Sequence, residues 1–320
     1  MRVLSKQDIL TYYTFAHAIN ATESAFVQYS TQPNTCPVRA NLQTPSGNNL
    51  FMPASTQTSC GCKIVTVRAG NLKKNLPTIN AIHADIDEET GVISTILDGA
   101  QLTIFRTGAA SGVATRYLAK KDASSLLVVG AGIQGMAGAQ SVFLERKITK
   151  ICVFDTRKEC FQKFQEIFQG VEIIQLTDIN AVNEVIGQYD IVITTTTSET
   201  PVVDLTKLKE GCFVSCVGAY QPHTREVDIT QRQVKIVVDT RSGCFAEAGE
   251  VIIPAKEGKL VLDEKIPEIG EIAAGKIKGR ENDTEIIIFK TVGCSLQDCV
   301  VGREIAIMGA QKGLGVVVEM

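Results

Sequence analysis

A glycine-rich turn between an apolar run and a helical segment constrains the fold of this 320-residue chain more than any other feature. The run Leu126–Val129 leads into the spacing G-x-G-x-x-G, and a helical pattern follows over Met136–Glu145. The first glycine permits a tight turn, the second lets the backbone approach a pyrophosphate, and the third lets helix and strand pack closely. Free N–H groups at the helix start also favour phosphate. The predicted contacts of this dinucleotide-binding turn are Gly130, Gly132, Ile133, Gln134 and Gly135.

A second apolar run, Ile151–Phe154, ends at Asp155, 20 residues after Gly135. A carboxylate at this place in a Rossmann unit accepts hydrogen bonds from the ribose hydroxyls of the adenosine. It would repel a 2′-phosphate, so the sequence favours NAD(H) as the cofactor. Thr156 and Arg157 complete the predicted contacts. Arg157 leaves NADP(H) open, because a nearby arginine can pair with the 2′-phosphate.

Beyond Ser124, apolar runs alternate with helical stretches. Near-continuous apolar strands separated by helices indicate a parallel sheet that is covered on both faces. We therefore predict an α/β fold with a doubly wound Rossmann sheet. The predicted strands are Leu126–Val129, Ile151–Phe154, Glu172–Gln175, Ile191–Thr194, Phe213–Val217, Ile236–Val238 and Ile286–Phe289.

The first 119 residues have a different, α+β pattern. Ser5–Ser30 reads as two helices, and a helix rich in small residues covers Thr103–Leu118. A long helix at Ser295–Gln311 is expected to return to this part of the fold. The predicted domains are therefore a discontinuous α+β domain of residues 1–119 and 294–320, and a Rossmann domain of residues 120–293. The predicted strands of the first domain are Val38–Leu42, Lys63–Val67, Ile79–Ile86 and Val92–Leu97, in an antiparallel or mixed sheet.

Composition excludes several classes of function. A net charge of −3 argues against a nucleic-acid or membrane-surface binder. The uncharged stretch Ala123–Leu144 reads as strand, turn and helix rather than as a membrane span. Ten cysteines without an apolar leader predict free thiols in a reducing, cytoplasmic compartment. The three histidines are far apart and no zinc-type spacing occurs, so we predict no bound metal.

Three basic residues lie among apolar or small neighbours in the first domain: Arg39, Lys63 and Arg106. An arginine fork suits a carboxylate, which it can bind through two parallel hydrogen bonds. A lysine against apolar neighbours can exchange protons near neutral pH. The same three residues could equally be solvated surface cations, and spacing alone leaves both interpretations open.

Seven segments, which run from Phe51–Ala54 to Phe289–Gly293, together resemble the ornithine cyclodeaminase/μ-crystallin family, and the resemblance extends over nearly the whole chain. That resemblance implies a homodimer joined through the first domain, and an active site between the domains. The family includes cyclodeaminases, cyclic ketimine reductases, amino-acid dehydrogenases and a thyroid-hormone-binding crystallin. The segments that carry the resemblance are Phe51–Ala54, Gly61–Val67, Leu97–Gly99, Arg106–Ser111, Gly130–Gly135, Val217–Ala219 and Phe289–Gly293.

Carried over by this resemblance, Arg39 and Arg106 match the arginines that hold the substrate carboxylate. Lys63 matches the lysine that contacts the substrate and assists proton transfer. Thr107 looks like a phosphate contact. The positions that match the cofactor groove and the backbone at the nicotinamide end are Thr195, Thr196, Val217, Gly218, Val292 and Gly293.

One departure from the family pattern bears on the reaction. Cyclodeaminases of this family carry an aspartate directly after the Gly-Ala that matches Gly218 and Ala219, and here the position is Tyr220. A tyrosine is a poor base at neutral pH. His223 is a candidate proton carrier or a solvated loop residue. We therefore predict an NAD(P)-dependent reductase or dehydrogenase of a small imino or amino acid, such as Δ1-pyrroline-2-carboxylate. The alternatives are an ornithine cyclodeaminase and a crystallin-like protein that binds NADPH and a small ligand.

Overall fold

The computed structural model describes residues 1–157 and 159–319 of the chain. Two compact units form: residues 1–106 with 294–320, and residues 107–293. The division at residue 106 falls inside a long helix, whereas the sequence predicts a boundary at residue 119. The predicted domain bounds stay predictions.

The elements follow one another from the amino terminus. The first are β1 (Arg2–Leu4), α1 (Lys6–Leu10), α2 (Phe15–Thr31), β2 (Ala40–Thr44), β3 (Gly47–Ser55), β4 (Cys60–Val67), β5 (Ile79–Ile86), β6 (Ile93–Asp98) and α3 (Gly99–Leu118). The next are β7 (Ser125–Val129), α4 (Ile133–Glu145), β8 (Lys150–Phe154), α5 (Glu159–Ile167), β9 (Glu172–Leu176), α6 (Ile179–Val185), β10 (Ile191–Thr194), β11 (Phe213–Cys216), β12 (Lys235–Val238), α7 (Arg241–Glu247), α8 (Gly249–Lys256), α9 (Ile269–Ala273), β13 (Ile287–Lys290), α10 (Ser295–Gln311) and β14 (Val316–Val317). Short 3-10 helices cover Ala69–Lys74, Ile186–Gln188 and Leu205–Lys207.

The first unit contains a seven-stranded mixed sheet in the order β14-β1-β6-β5-β4-β3-β2. Its pairs are antiparallel apart from the parallel pair of β1 and β6. Successive side chains of a strand point to opposite faces of the sheet. Met52, Lys63, His83 and Leu97 are register partners across four strands, and all four are buried on the same face. This register brings Lys63 and His83, which are 20 positions apart, side by side.

Helices cover that buried face. α10 packs against α2 and against β3, β4 and β5. The helix occupies the residues predicted from the sequence, Ser295–Gln311, and the first unit is therefore discontinuous. Ser5 and Thr14 cap the starts of α1 and α2, where each side-chain oxygen accepts a backbone N–H.

The second unit contains a seven-stranded sheet in the order β12-β13-β11-β10-β7-β8-β9, with all its pairs parallel. β10, β11 and β13 are buried at every position, as strands covered on both faces must be. The order reverses between β7 and β10, which creates the switch point where such sheets bind nucleotides. The predicted α/β fold with a doubly wound parallel sheet is confirmed, and each predicted strand of this sheet is found within two residues of its predicted bounds.

Three strands of the first unit were not predicted. β1 and β14 have only three and two residues. β3 begins with Gly47 and the polar residues Asn48 and Asn49 and contains Pro53, which obscures its alternation. Within the described ranges, no helix is both long and apolar enough to cross a membrane.

Candidate active site and dinucleotide-binding turn

Lys63 is a fully enclosed cation on the inner face of the first unit's sheet. Its side chain is 1% exposed, and Nζ lies 2.7 Å from both carboxylate oxygens of Asp298. Asp298 comes from the first turn of α10 and is itself completely buried. Burial lowers the pKa of Lys63 to about 8, although the negative charge of Asp298 opposes that shift. The lysine can therefore both donate and accept a proton near neutral pH.

Two arginines add positive charge to this pair. Nε of Arg106 lies 3.2 Å from Asp298, and the side chain is almost fully buried in α3. Arg39 is half-buried in the segment before β2, close enough to help lower the pKa of Lys63. Lys63 and Arg106 thus share one carboxylate, which leaves excess positive charge for an anionic group. The structure brings the three sequence-predicted residues of the first unit into one electrostatic cluster.

His83 is the register partner of Lys63 on β5, and it lies beside this cluster on the same buried face of the sheet. Its ring contacts two glycines: a Cβ added at Gly61 would lie 3.0 Å from Nε2, and one added at Gly302 would lie 2.6 Å from it. Both ring nitrogens are buried without a hydrogen-bond partner in the described part of the chain. Burial lowers the pKa of His83 to about 4, so the imidazole is neutral at physiological pH and adds no charge next to Lys63.

The glycine-rich turn of the second unit has the backbone that a dinucleotide site requires. Gly130 has a φ of +92°, which favours glycine. A Cβ at Gly135 would lie 2.1 Å from the carbonyl oxygen of Gly130, so only glycine lets the turn close onto α4. Gly132 is the N-cap of α4 and offers no side-chain cap, and Ile133, the first helical residue, is 67% exposed. The first N–H groups of α4 therefore lack a capping side chain, as an anion site requires.

Asp155 lies directly after β8 and faces this turn. Its carboxylate accepts the N–H of Ala131 at 2.8 Å and that of Arg157 at 2.8 Å. The guanidinium of Arg157 also lies 3.1 Å from Asp155, while Thr156 is exposed. Although partial burial opposes it, the hydrogen bonds and charge of Arg157 lower the pKa of Asp155. Carboxylate and guanidinium are therefore both present at the predicted ribose position.

Three further side chains belong to this region. Thr195 donates its hydroxyl to the carbonyl oxygen of Gly130, which ties the segment after β10 to the turn. Thr107 Oγ1 and Gln134 Oε1 are buried atoms with no hydrogen-bond partner among residues 1–157 and 159–319. Unsatisfied buried polar atoms are costly, so these two favour an additional group as partner. Together with the uncapped helix start, they fit a bound dinucleotide.

Two buried carboxylates hold the remaining predicted cofactor segments. Glu226 accepts the backbone N–H groups of Thr196 and Gly218, both at 2.6 Å. Asp239 accepts those of Val292 and Gly293, at 2.9 and 2.7 Å. Val217, which precedes Gly218, is half-buried and donates its N–H to Thr194. These segments lie after β10, β11 and β13, at the carboxyl edge of the parallel sheet.

Tyr220 and His223 lie on an exposed stretch after these turns. Tyr220 is 43% exposed and His223 is also exposed. Among the described residues, neither side chain has a hydrogen-bond partner that would prepare it as a base. The carboxylate that cyclodeaminases place after the Gly-Ala pair is absent at this position.

Sequence reasoning missed the residues that orient the site. Asp298 was overlooked because α10 also contains Arg303 and Glu304, so that it reads in sequence as one of several polar residues of a helix. Glu226 reads in sequence as part of a polar loop, next to Arg225 and Asp228. In the sequence, only the alternation of a strand marks His83. That alternation does not show which residue of a neighbouring strand lies beside it.

Comparisons with known proteins agree with this geometry. The model of the ornithine cyclodeaminase/mu-crystallin family matches residues 1–307. A Δ1-pyrroline-2-carboxylate reductase of Bacillus cereus is 31% identical over 325 residues, which cover 100% of both chains.

Solved structures agree as well. The structure of Thermococcus litoralis Δ1-pyrroline-2-carboxylate reductase in complex with NADH and L-proline has a TM-score of 0.92 and 34% identity, and the match covers 99% of this chain and 100% of that one. An archaeal alanine dehydrogenase dimer with bound NAD has a TM-score of 0.92 and 29% identity, with 100% and 99% covered. The resemblance inferred from the sequence is confirmed: this chain belongs to the ornithine cyclodeaminase/mu-crystallin family.

Proposed function

We propose that this chain is an NAD(H)-dependent oxidoreductase that reduces the C=N bond of a small cyclic imino acid, with Δ1-pyrroline-2-carboxylate as substrate and proline as product. The observation that carries the proposal is the buried cluster of Lys63, Asp298 and Arg106, with the half-buried Arg39 near it. It combines excess positive charge with a proton-exchanging lysine. Relatives of about one-third identity that act on this imino acid support the choice of substrate.

The arginines bind the substrate carboxylate. Arg106 is oriented by Asp298, which lies 3.2 Å from its Nε, and its guanidinium would bind the substrate carboxylate. Arg39 supplies another guanidinium from the segment before β2. A planar guanidinium binds a carboxylate through two parallel hydrogen bonds, which fixes the plane of the substrate as well as its position.

Lys63 delivers the proton. Reduction of an imine places a hydride on carbon and a proton on nitrogen, so the site needs an acid near neutral pH. With a pKa of about 8, Lys63 is largely protonated at pH 7 and can release its proton at modest cost. In the direction of proline oxidation the neutral amine takes the proton back. Asp298 holds Nζ in place through both steps.

The second unit holds the cofactor. Gly130, Gly132 and Gly135 with the start of α4 would bind the pyrophosphate, and Asp155 would bind the adenosine ribose. Bound NADH supplies the hydride for the imine carbon. NAD(H) is favoured by Asp155 and by the NADH and NAD complexes of the relatives. Arg157 can swing to a 2′-phosphate, which would allow slower use of NADPH.

The decisive test is oxidation of NADH and of NADPH by the purified protein with Δ1-pyrroline-2-carboxylate. We expect rapid turnover with NADH, and a loss of about 10²-fold or more in kcat for Lys63→Met. Lys147→Met, an exposed lysine of the second unit, is the matched control and should retain full activity. An inactive wild-type protein that still binds NADH would refute the proposed substrate.

Alanine dehydrogenase is the second candidate, because the archaeal enzyme has the same TM-score as the imino-acid reductase. Its substrate carries the same carboxylate and forms an imine at the same carbon. NADH oxidation with pyruvate and ammonium distinguishes it. An ornithine cyclodeaminase would instead release ammonia from ornithine with catalytic NAD, which the exposed Tyr220 does not favour. Tight binding of a small ligand without turnover would indicate the crystallin-like alternative.

We also propose a homodimer in a reducing, cytoplasmic compartment. Phe51, Ile64 and Ile82 form a row across β3, β4 and β5 on the outer face of the first unit's sheet, and they are 37, 37 and 45% exposed. An apolar row on a sheet face is typical of a protein interface. The alanine dehydrogenase relative is a dimer. All ten cysteines are free thiols, which supports the reducing compartment.

A further inference from the structure

Glu226 is a completely buried carboxylate that joins two neighbouring segments of backbone. Oε1 accepts the N–H of Thr196 and Oε2 accepts that of Gly218, both at 2.6 Å. The side chain is 0% exposed. Both oxygens are therefore used by main-chain donors, and a neutral amide could accept from only one of them.

The two segments occupy matching places in the sheet. Thr196 lies two residues after the end of β10, and Gly218 lies two residues after the end of β11. A Cβ at Gly218 would lie 2.1 Å from the carbonyl oxygen of Thr196 and 2.7 Å from Oε1 of Glu226. The segments therefore pack against each other through a glycine, with the carboxylate between them.

A buried lysine holds the same turn from the other side. Nζ of Lys290, the last residue of β13, donates to the carbonyl oxygen of Ala219 at 2.6 Å and lies 3.1 Å from Glu250. Glu250 in turn accepts the backbone N–H of Glu226 at 3.0 Å. Thus Gly218 and Ala219 are fixed at their N–H and their carbonyl oxygen by oppositely charged groups.

Burying these three ionisable groups is expensive. Two carboxylates and one ammonium lose their hydration, and apolar residues of similar volume commonly stabilise a core as well or better. Burial raises the pKa of Glu226, while the carboxylates of Glu250 and Glu226 outweigh burial and raise the pKa of Lys290. Stability alone therefore gives little reason for this arrangement, whereas fixing backbone at the ligand-binding edge of the sheet does.

The position of Glu226 and Lys290 relative to the sheet indicates which part of a ligand the fixed backbone would support. A doubly wound sheet binds the two halves of a dinucleotide on either side of its switch point. Asp155 and the glycine-rich turn lie on the side of β7 and β8. The ends of β10, β11 and β13 therefore serve the other, nicotinamide half.

We propose that Glu226 is a positioning residue that fixes the backbone of Thr196 and Gly218 as the support for the nicotinamide end of the cofactor, an inference that rests on the proposed NAD(H)-dependent function. Glu226 touches neither substrate nor cofactor itself. It acts through the two segments that it holds, and Lys290 assists it through Ala219.

The test compares two ligands on Glu226→Gln in the full chain. NADH binding is measured by fluorescence, and ADP-ribose, which lacks the nicotinamide, by calorimetry. We expect the dissociation constant of NADH to rise on the order of tenfold, since one N–H loses its acceptor and the segments shift. The constant for ADP-ribose should change by less than about twofold. Glu210→Gln, an exposed glutamate of the same unit, is the matched control.

A steady-state measurement adds an independent readout. With Δ1-pyrroline-2-carboxylate, Glu226→Gln should lower kcat and increase the isotope effect on kcat with NADH deuterated at the transferred hydrogen, because misplaced nicotinamide slows hydride transfer. Equal weakening of NADH and ADP-ribose, or unchanged binding and isotope effect in a folded variant, would overturn the proposal. If Glu226→Gln does not fold, Gly218→Ala, which pushes the same segments apart, is measured in the same way.

The two proposals fail in different ways. A wild-type protein that binds NADH but does not reduce the imino acid refutes the substrate, and the comparison of NADH with ADP-ribose still decides the role of Glu226. A wild-type protein that binds neither ligand refutes both.

Discussion

Replacing Asp298 by asparagine tests whether this carboxylate sets the protonation state of Lys63. Asparagine has nearly the same shape and keeps one oxygen that Nζ can reach, but it removes the negative charge. In the native cluster that charge opposes the effect of burial and raises the pKa of Lys63. Without it, burial and the two arginines act unopposed on the lysine, so the pKa must fall further below its value of about 8.

The size of the shift follows from the contact. An opposite charge within about 4 to 6 Å changes a pKa by about 1 to 3 units, and here both oxygens are 2.7 Å from Nζ. At pH 8 about half of the native lysines carry a proton, and a fall of one unit leaves about one-tenth protonated. Imine reduction requires the protonated form. In the native protein, kcat/KM for imine reduction should therefore decline as the pH rises through 8. In Asp298→Asn the same decline should occur at a pH about 1 to 3 units lower.

The assay is the pH profile of kcat/KM for Δ1-pyrroline-2-carboxylate with saturating NADH, from pH 5 to pH 10. The profile of proline oxidation is the internal check, since it needs the neutral amine and should rise through the pH range where reduction falls. Asp122→Asn, an exposed aspartate, is the control. Because Arg106 also loses a partner, a thermal melt must show that the variant is folded. If kcat/KM for imine reduction still declines near pH 8 in folded Asp298→Asn, the reasoning is refuted.

Other predictions concern the cofactor site and the interface. Asp155→Ala should lower kcat/KM for NADH and raise the use of NADPH relative to NADH on the order of tenfold, because Arg157 is freed for the 2′-phosphate. An unchanged ratio of kcat/KM for the two cofactors would contradict the role of the carboxylate. Gly135→Ala should abolish NADH binding in fluorescence titration, since its Cβ would lie 2.1 Å from a carbonyl oxygen, whereas Gly70→Ala, with open space around it, should bind normally. Ile82→Glu should convert the proposed dimer to a monomer in light scattering, and a monomeric wild type would refute the interface.

The extent to which sequence predicted this structure depends on the range of the interactions. The parallel strands were predicted well because each is a short apolar run, and such a pattern is local. The long helix Ser295–Gln311 was predicted for the same reason. β3 was missed because the sheet, rather than its own composition, keeps it extended. β4 pairs with it along nearly its whole length, and β2 pairs with its first five residues.

In the candidate site, too, local patterns could be predicted and long-range contacts could not. The glycine-rich turn and Asp155 have a local signature, so their chemistry could be inferred from spacing alone. Lys63 and Arg106 were singled out as isolated cations, but their environment could not be derived. Asp298, whose carboxylate contacts both of them, is 235 positions from Lys63 in sequence. It is brought there by the return of α10 to the first unit, which no local pattern specifies.

Three of the residues whose roles sequence reasoning missed are buried carboxylates. Asp298 orients a lysine and an arginine in the first unit, while Glu226 and Asp239 each hold two or more backbone N–H groups at the sheet edge of the second. None of the three is exposed, and a buried charge is tolerated only where it is paired or hydrogen-bonded. Each carboxylate therefore requires its partners to stay in one arrangement, because any displacement leaves a charge without compensation. This penalty explains how a site made of loops and strand ends can keep a fixed geometry. It also means that replacing any of the three by its amide should impair ligand geometry more than its small change in volume suggests.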